Sequence, residues 1–321
     1  MTNLLADLFR IEKKPKRGLL AFEWVVLAYM VFTLTIVFFA YTKLTNPEEM
    51  IWGRIRVAVM TVAMWLIYKL APCKLTLLAR VLLQLGLLAW WYPDTYDINR
   101  IFPNLDYMFA EWEQQLFGFQ PALVFASTFS SPIVSELMDL GYASYYPMIV
   151  FVAFFFFFYR YKDFECCAFV ILASFFTYYV IFDLLPVVGP TFYYKAVGTD
   201  KIAGGIFPAL RHYFDIHQDC LPSPGYTNGL FYNLVESAKA AGERPTAAFP
   251  SSHVGISTVC MLLVWHARGH KLLLLLLPFY VLLFFSTVYI QAHYAIDAIA
   301  GVLTGALFYL GFMYIHHRYS T

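Results

Sequence analysis

Long apolar stretches recur along almost the whole of this chain, and they decide the solvent in which it folds. A helix needs about 17–25 apolar residues to cross a bilayer. Eight segments meet that reading, at residues 18–42, 55–71, 76–92, 143–159, 165–186, 252–267, 272–289 and 294–315. Composition agrees. Of 321 residues, 60% are hydrophobic and 13% charged, against about 45–50% and about 25% in soluble domains. With a mean hydropathy of +0.62, the apolar excess is too large for one water-solvated core. The expected fold is all-α, a polytopic membrane bundle of six to eight transmembrane helices. A net charge of +1 supplies no basic field for nucleic acid, so the expected partners are membrane lipids.

The second and third segments are short and carry Lys69 and Arg80. Either those side chains snorkel, or the two segments form a tight hairpin. Orientation follows from Lys and Arg in short loops. Arg10, Lys13, Lys14, Lys16 and Arg17 precede the first span; Lys74, Arg160, Lys162, Arg268, Lys271 and Arg318 follow in alternate loops. With eight spans all of these lie on one side, which places both termini in the cytoplasm. Lys43 and Arg54, in the first loop, are discordant. The first apolar segment is too long for a signal-peptide core and lacks a small-residue cleavage site, so it reads as an anchor. The five cysteines form neither a disulfide framework nor a metal-ligand spacing, and no cofactor is expected. No Asn-x-Ser/Thr sequon occurs, which favours a bacterial inner membrane over the Golgi.

Two organisational parts are expected: residues 1–139, with the early spans and an external amphipathic segment, and residues 140–321, a catalytic bundle with an external loop at 187–250. In the first external segment Leu105, Met108, Phe109, Trp112 and Leu116 recur at helical spacing with Asp106, Glu111 and Glu113 between them. That pattern predicts a helix lying at the interface or covering the outer ends of the bundle. The loop 187–250 is too long for a plain connection. It holds Tyr193, Tyr194, Lys195, Arg211, His212, His217 and Arg244, and Cys220 to Gly225 read as an irregular lid.

Chemistry concentrates at two helix starts. Phe249-Pro250-Ser251-Ser252-His253 immediately precedes an apolar segment; Pro and Ser there predict a capped helix N-terminus, whose free N–H groups and dipole suit a phosphate. Gln291-Ala292-His293-Tyr294-Ala295-Ile296-Asp297 enters the last segment. Four residues apart, His293 and Asp297 share a face if helical, and a carboxylate there can fix the imidazole tautomer and leave the other nitrogen free to attack. Two crossings separate His253 from His293, so both fall at one membrane face. A histidine alone in a membrane helix more often serves packing; an acid inside an apolar segment is costly and points to function.

These residues resemble the type 2 phosphatidic acid phosphatase and haloperoxidase superfamily. Its second motif, Pro-Ser-x-His, matches Pro250, Ser251 and His253. Its third, Ser-Arg-x5-His-x3-Asp, matches Ser286, His293 and Asp297, with Thr287 in place of the Arg. The first, Lys-x6-Arg-Pro, is missing, because Lys239 and Arg244-Pro245 lie too close together and too near the second motif. The pattern is similar to the inositol phosphorylceramide synthase branch, which keeps the His, His, Asp set without the basic first motif. The stretch Leu185-Pro186-Val187-Val188-Gly189-Pro190 is similar to that branch too.

The resemblance implies a six-helix core in which His293 attacks phosphorus, Asp297 orients and charges it, and His253 protonates the leaving oxygen. Water completes a hydrolase; a lipid hydroxyl completes a transferase. A monoester brings nearly two negative charges and calls for several Lys or Arg, whereas a diester brings one. The missing basic residues therefore favour a diester donor and a ceramide-type acceptor. The alternative is a phosphatase acting on phosphatidic acid, a sphingoid-base phosphate or a polyprenyl phosphate. Substrate-binding candidates are Ser251, Ser252, Arg244, Lys195 and Tyr194, with Arg211 a further cation. A transporter or inactive scaffold is the reading from another class, but the polar residues sit at one level rather than along a path. A bis-His haem protein fits poorly with histidines at helix starts.

Overall fold

A computed structural model describes residues 6–319. Apart from two isolated β-bridges, the regular structure among these residues is helical. The chain divides into two compact units, one ending at Ile98 and one beginning at Asn99.

The first unit contains α1 (Ala21–Phe39), α2 (Pro47–Leu70) and most of α3 (Lys74–Asn99). Only Ala71, Pro72 and Cys73 join α2 to α3, so the tight hairpin is the arrangement present. Gly53 makes it possible: a Cβ there would lie 2.2 Å from the Trp90 ring. Arg80 does not snorkel. It is fully buried and pairs with the Glu23 carboxylate, its Nε donating at 2.8 Å. Arg54 lies inside α2 rather than in a loop, and its Nη2 meets Asp94 Oδ2 at 2.7 Å. A buried guanidinium without such a partner would carry a large desolvation penalty, so these pairs are what the two arginines require.

The second unit contains α4 (Asp106–Phe117), α5 (Pro121–Thr128), α6 (Pro132–Ala143), α7 (Tyr145–Tyr159) and α8 (Phe164–Leu184). After these come α9 (Pro190–Val197), α10 (Thr199–Ala203), α11 (Leu230–Gly242), α12 (Ser252–His266), α13 (His270–Tyr289) and α14 (Ala295–Tyr319). Six described helices are long and apolar enough to cross a membrane: α1, α2, α3, α8, α13 and α14. Taken together as one span bent by 46°, α6 and α7 make a seventh. α12 is apolar but has 15 residues. The protein is an integral membrane protein of the helical class.

α8 is buried along most of its length, and α12 packs closely on α14. There Gly301 and Gly305 face α12: a Cβ on Gly301 would lie 2.6 Å from the Ser251 carbonyl oxygen, and one on Gly305 would lie 2.4 Å from that of Gly255. Small residues four apart let two membrane helices approach backbone to backbone.

α4 differs from its sequence expectation. Its buried side includes Phe109 and Ala110, but also Asp106 and Glu113, neither of which has exposed surface. Trp112 and Leu116 point outward, 48% and 64% exposed. The carboxylates turn inward because backbone N–H groups of the site await them there.

Candidate active site

Two helix starts converge, as the spacing of the motifs predicts. Ser251 caps α12, its side chain accepting from Val254 N, and its own N–H donates to the Asp297 carbonyl at 3.0 Å. The first turn of α12 is thereby fastened to the first turn of α14. His253 Nδ1 stands 3.4 Å from His293 Nε2. Tyr142 and Tyr145 flank the His253 ring at centroid distances of 4.8 Å and 4.4 Å.

His293 is not helical. It sits in the turn before α14, with its N–H on the Thr287 carbonyl at 3.0 Å. Its Nδ1 donates to the Ala248 carbonyl at 2.7 Å, while the nearer Asp297 oxygen is 3.7 Å away. A carbonyl can only accept, so this bond places the proton on Nδ1 and leaves the Nε2 lone pair free on the side of His253. Ala248 thus performs the tautomer-fixing role expected of Asp297. Asp297 instead reaches back from the third helical position to accept the Tyr294 N–H at 2.8 Å, which is half of a capping box. Its other oxygen, Oδ1, is buried without a hydrogen-bond partner. Asp297 therefore places a carboxyl group beside His293 while also shaping the turn that carries it. Burial lowers the His293 pKa to about 4, against the opposing effects of the Ala248 bond and the Glu243 carboxylate. The imidazole is neutral, and so nucleophilic, at ordinary pH.

The two helix starts are not equivalent for an anion. At α14, Glu113 Oε1 and Oε2 accept the Ala295 and Ile296 N–H groups, each at 3.1 Å, and Asp297 takes Tyr294. The positive end of that helix is already occupied by carboxylates. At α12, Ser252 and His253 are the first two helical residues, whose N–H groups have no intrahelical acceptor. The phosphate-competent end is the one that carries His253.

The remaining sequence candidates lie elsewhere. Tyr194 is buried with its hydroxyl donating to Gln120 Oε1 at 2.9 Å. Lys195, Arg211 and Arg244 are exposed, and among the described residues no contact joins them to the two histidines. Cys220 to Gly225 is irregular but tied: Leu221 N donates to Thr191 O at 2.9 Å, and Ser223 N to Glu236 at 3.0 Å. Lys239, which the sequence sets aside as a first-motif lysine, is 8% exposed and held by Ser223 Oγ at 2.8 Å and Glu236 at 3.2 Å. Its charge acts on Glu243, whose pKa burial raises overall. Ala248, Tyr142 and Tyr145 were missed. A backbone carbonyl leaves no trace in sequence, and two tyrosines among 24 give no signal. No cluster of His, Cys, Asp and Glu suited to a metal ion occurs among the described residues.

The fold and this site define a helical membrane protein whose two histidines and one buried carboxylate meet at a pair of helix starts, a set suited to phosphoryl transfer. The chain belongs to the PAP2 superfamily, whose family model matches residues 108–311. No curated protein and no solved structure matches it. Membership makes it a phosphatase-type enzyme, of lipid phosphatase or phosphotransferase chemistry, acting on membrane lipids.

Proposed function

We propose that the enzyme moves a phosphorylated head group from a phosphodiester lipid to a lipid hydroxyl, as an inositol phosphorylceramide synthase does, through a phosphohistidine on His293. Nε2 of His293 attacks phosphorus and the bond from phosphorus to the diacylglycerol oxygen breaks. His253 supplies that oxygen's proton. The hydroxyl of a ceramide-type acceptor then attacks the phosphohistidine, passes its proton to His253 and releases His293. Ser252 and His253 N–H groups, with Ser251 as their cap, hold the phosphoryl oxygens. At 3.4 Å the two imidazoles leave no room for phosphorus between them, so substrate binding has to part them. Both termini lie in the cytoplasm in this reading, and the site faces outward from a bacterial inner membrane.

The observation that carries the diester preference is the charge around His293. The neighbour acting on it is an acid, Glu243, and the buried cation, Lys239, is already engaged by Glu236. Lys195, Arg211 and Arg244 are exposed. Such a site meets one negative charge from α12's N-terminus and has little for a second. The competing reading, a phosphatase for phosphatidic acid or a similar monoester, requires Lys239 to exchange Glu236 for the substrate. Purified enzyme given phosphate-labelled phosphatidylinositol and ceramide, beside a second sample given phosphatidic acid, separates the two. Label is expected on ceramide, with slow release to water. Rapid phosphate release from phosphatidic acid with no label on ceramide would install the phosphatase reading instead.

A further inference from the structure

Asp106 and Glu113 are buried carboxylates on a helix outside the spans, and the reaction steps do not use them. Desolvating an acid is costly unless hydrogen bonds to its charged form repay it. Glu113 finds its donors in the segment that carries the nucleophile, and Asp106 finds its backbone donors in a turn packed against that segment. Glu113 grips the first turn of α14 through Ala295 and Ile296, two and three residues after His293. Asp106 accepts Val188 N at 2.7 Å, Gly189 N at 2.9 Å and the Tyr294 hydroxyl at 3.1 Å. The turn it clamps continues the path. Val187 O accepts Ala248 N at 3.0 Å, and Ala248 O accepts His293 Nδ1 at 2.7 Å. Thr191 N donates to Gln291 O at 2.8 Å, which ties the same turn to the segment entering His293.

Gly189 shows how closely this turn is packed. Its φ is +88°, and a Cβ on it would lie 2.7 Å from the Ala292 carbonyl oxygen and 3.2 Å from the Ala248 side chain. The turn therefore touches both the residue before the nucleophile and the residue that sets its tautomer.

We infer that α4 is a positioning element for phosphoryl transfer, in which Asp106, through the Val188–Gly189 turn and Ala248, and Glu113, through the start of α14, hold His293 Nε2 on its line of attack. Each touches backbone rather than substrate, so these are positioning residues. A neutral amide in place of either carboxylate keeps the shape but offers one acceptor where two N–H groups must be met, and turns an NH2 towards the other. Burial pushes Asp106 to about 6 and Glu113 to about 7, in each case opposed by those same N–H groups.

The inference rests on His293 being the nucleophile, so the test carries a control for that. Full-length protein in vesicles is mixed with phosphate-labelled phosphatidylinositol, and phosphoenzyme is followed for both its rate and its final stoichiometry. His293→Ala must form none; label on that variant would overturn the reading beneath this one, and with it the inference. Given that control, Asp106→Asn and Glu113→Gln are expected to label roughly 10- to 100-fold more slowly, the scale of a small misplacement of a reacting group. Their final stoichiometry should match wild type and their KM should stay within about twofold. Tyr294→Phe removes only the hydroxyl on Asp106 and is expected to slow labelling by a few-fold. Wild-type rates in both amide variants would overturn the inference, as would lower stoichiometry at unchanged rate, since that pattern marks a folding role alone.

Discussion

His293 is fixed by the atoms around it, and their geometry assigns different losses to different substitutions. His293→Ala is expected to abolish turnover and phosphoenzyme together, because the neighbouring imidazole, His253, serves as the acid in the proposed mechanism. Asp297→Asn is a finer test. Where a carboxylate alone sets the tautomer, the amide costs roughly 10^4-fold. Here the Ala248 carbonyl sets it at 2.7 Å, and Asp297 stands off at 3.7 Å. What the amide removes is an acid able to take up charge beside the phosphohistidine of the proposed mechanism, and the loss of one such electrostatic group is about 100-fold in kcat. Single-turnover rates on folded Asp297→Asn decide between the two sizes. The pH dependence has a definite sign as well. A pKa lowered to about 4 keeps His293 deprotonated above that value. Loss of the nucleophile should therefore set in only as pH falls through about 4, well below the ordinary histidine value of 6.5, in a profile of kcat/KM against pH.

At the scale of elements, the site depends on how near α12 comes to α14. Gly301→Ala inserts a methyl 2.6 Å from the Ser251 backbone oxygen, which cannot swing aside as a side chain does. Overpacking of this kind costs about 1–3 kcal/mol, and the displaced segment carries the cap and His253. Activity is expected to fall further than thermal stability does. Gly311→Ala, on the same helix with nothing within 4 Å of the added Cβ, is the matched control and should leave both near wild type. Helical length and apolar character are legible in sequence because a bilayer demands them of each segment separately, so all eight apolar segments fall on helices. The meeting of His253 with His293 is legible too, since two crossings return the chain to its starting level. α4 is not legible in this way. Its apolar periodicity is real, but Asp106 and Glu113 turn inward for backbone N–H groups supplied by residues 188–189 and 295–296, remote in sequence. The same rule that singled out Asp297, that a buried acid must have a reason, would have singled out these two had their burial been readable. Arg54 is a similar case: loop or helix depends on Asp94, 40 residues on.

For the whole molecule, the structure sharpens the argument from charge to orientation. Arg54 leaves the set of discordant loop charges, because it is inside α2 and neutralised by Asp94; charges held in buried pairs do not take part in the positive-inside bias, which counts loop residues. Lys43 remains the discordant charge of the first loop, against the basic stretch before α1 and the short loops holding Lys74, Arg160, Lys162, Arg268 and Lys271. A second constraint comes from the site. Ser251 N meets the Asp297 carbonyl at 3.0 Å, so α12 and α14 start at one level, and α13 between them must return the chain. Whatever side holds residue 250 therefore also holds residue 294, and the C-terminus is expected on the opposite side. Reporter tags at residue 8 and after the C-terminus should both read cytoplasmic, and a tag within residues 200–240 should read external. With α12 only 15 residues long, about 22 Å at 1.5 Å per residue, its start is expected to sit below the outer surface of an apolar layer about 30 Å thick. A water-soluble thiol reagent applied from outside should accordingly label a cysteine placed at Arg244 quickly and one placed at Ser252 slowly. Equal, fast labelling at both would put the site in open water rather than within reach of lipid phosphates. A C-terminal tag on the same side as the 200–240 tag would break the return through α13 on which the pairing of the two histidines depends.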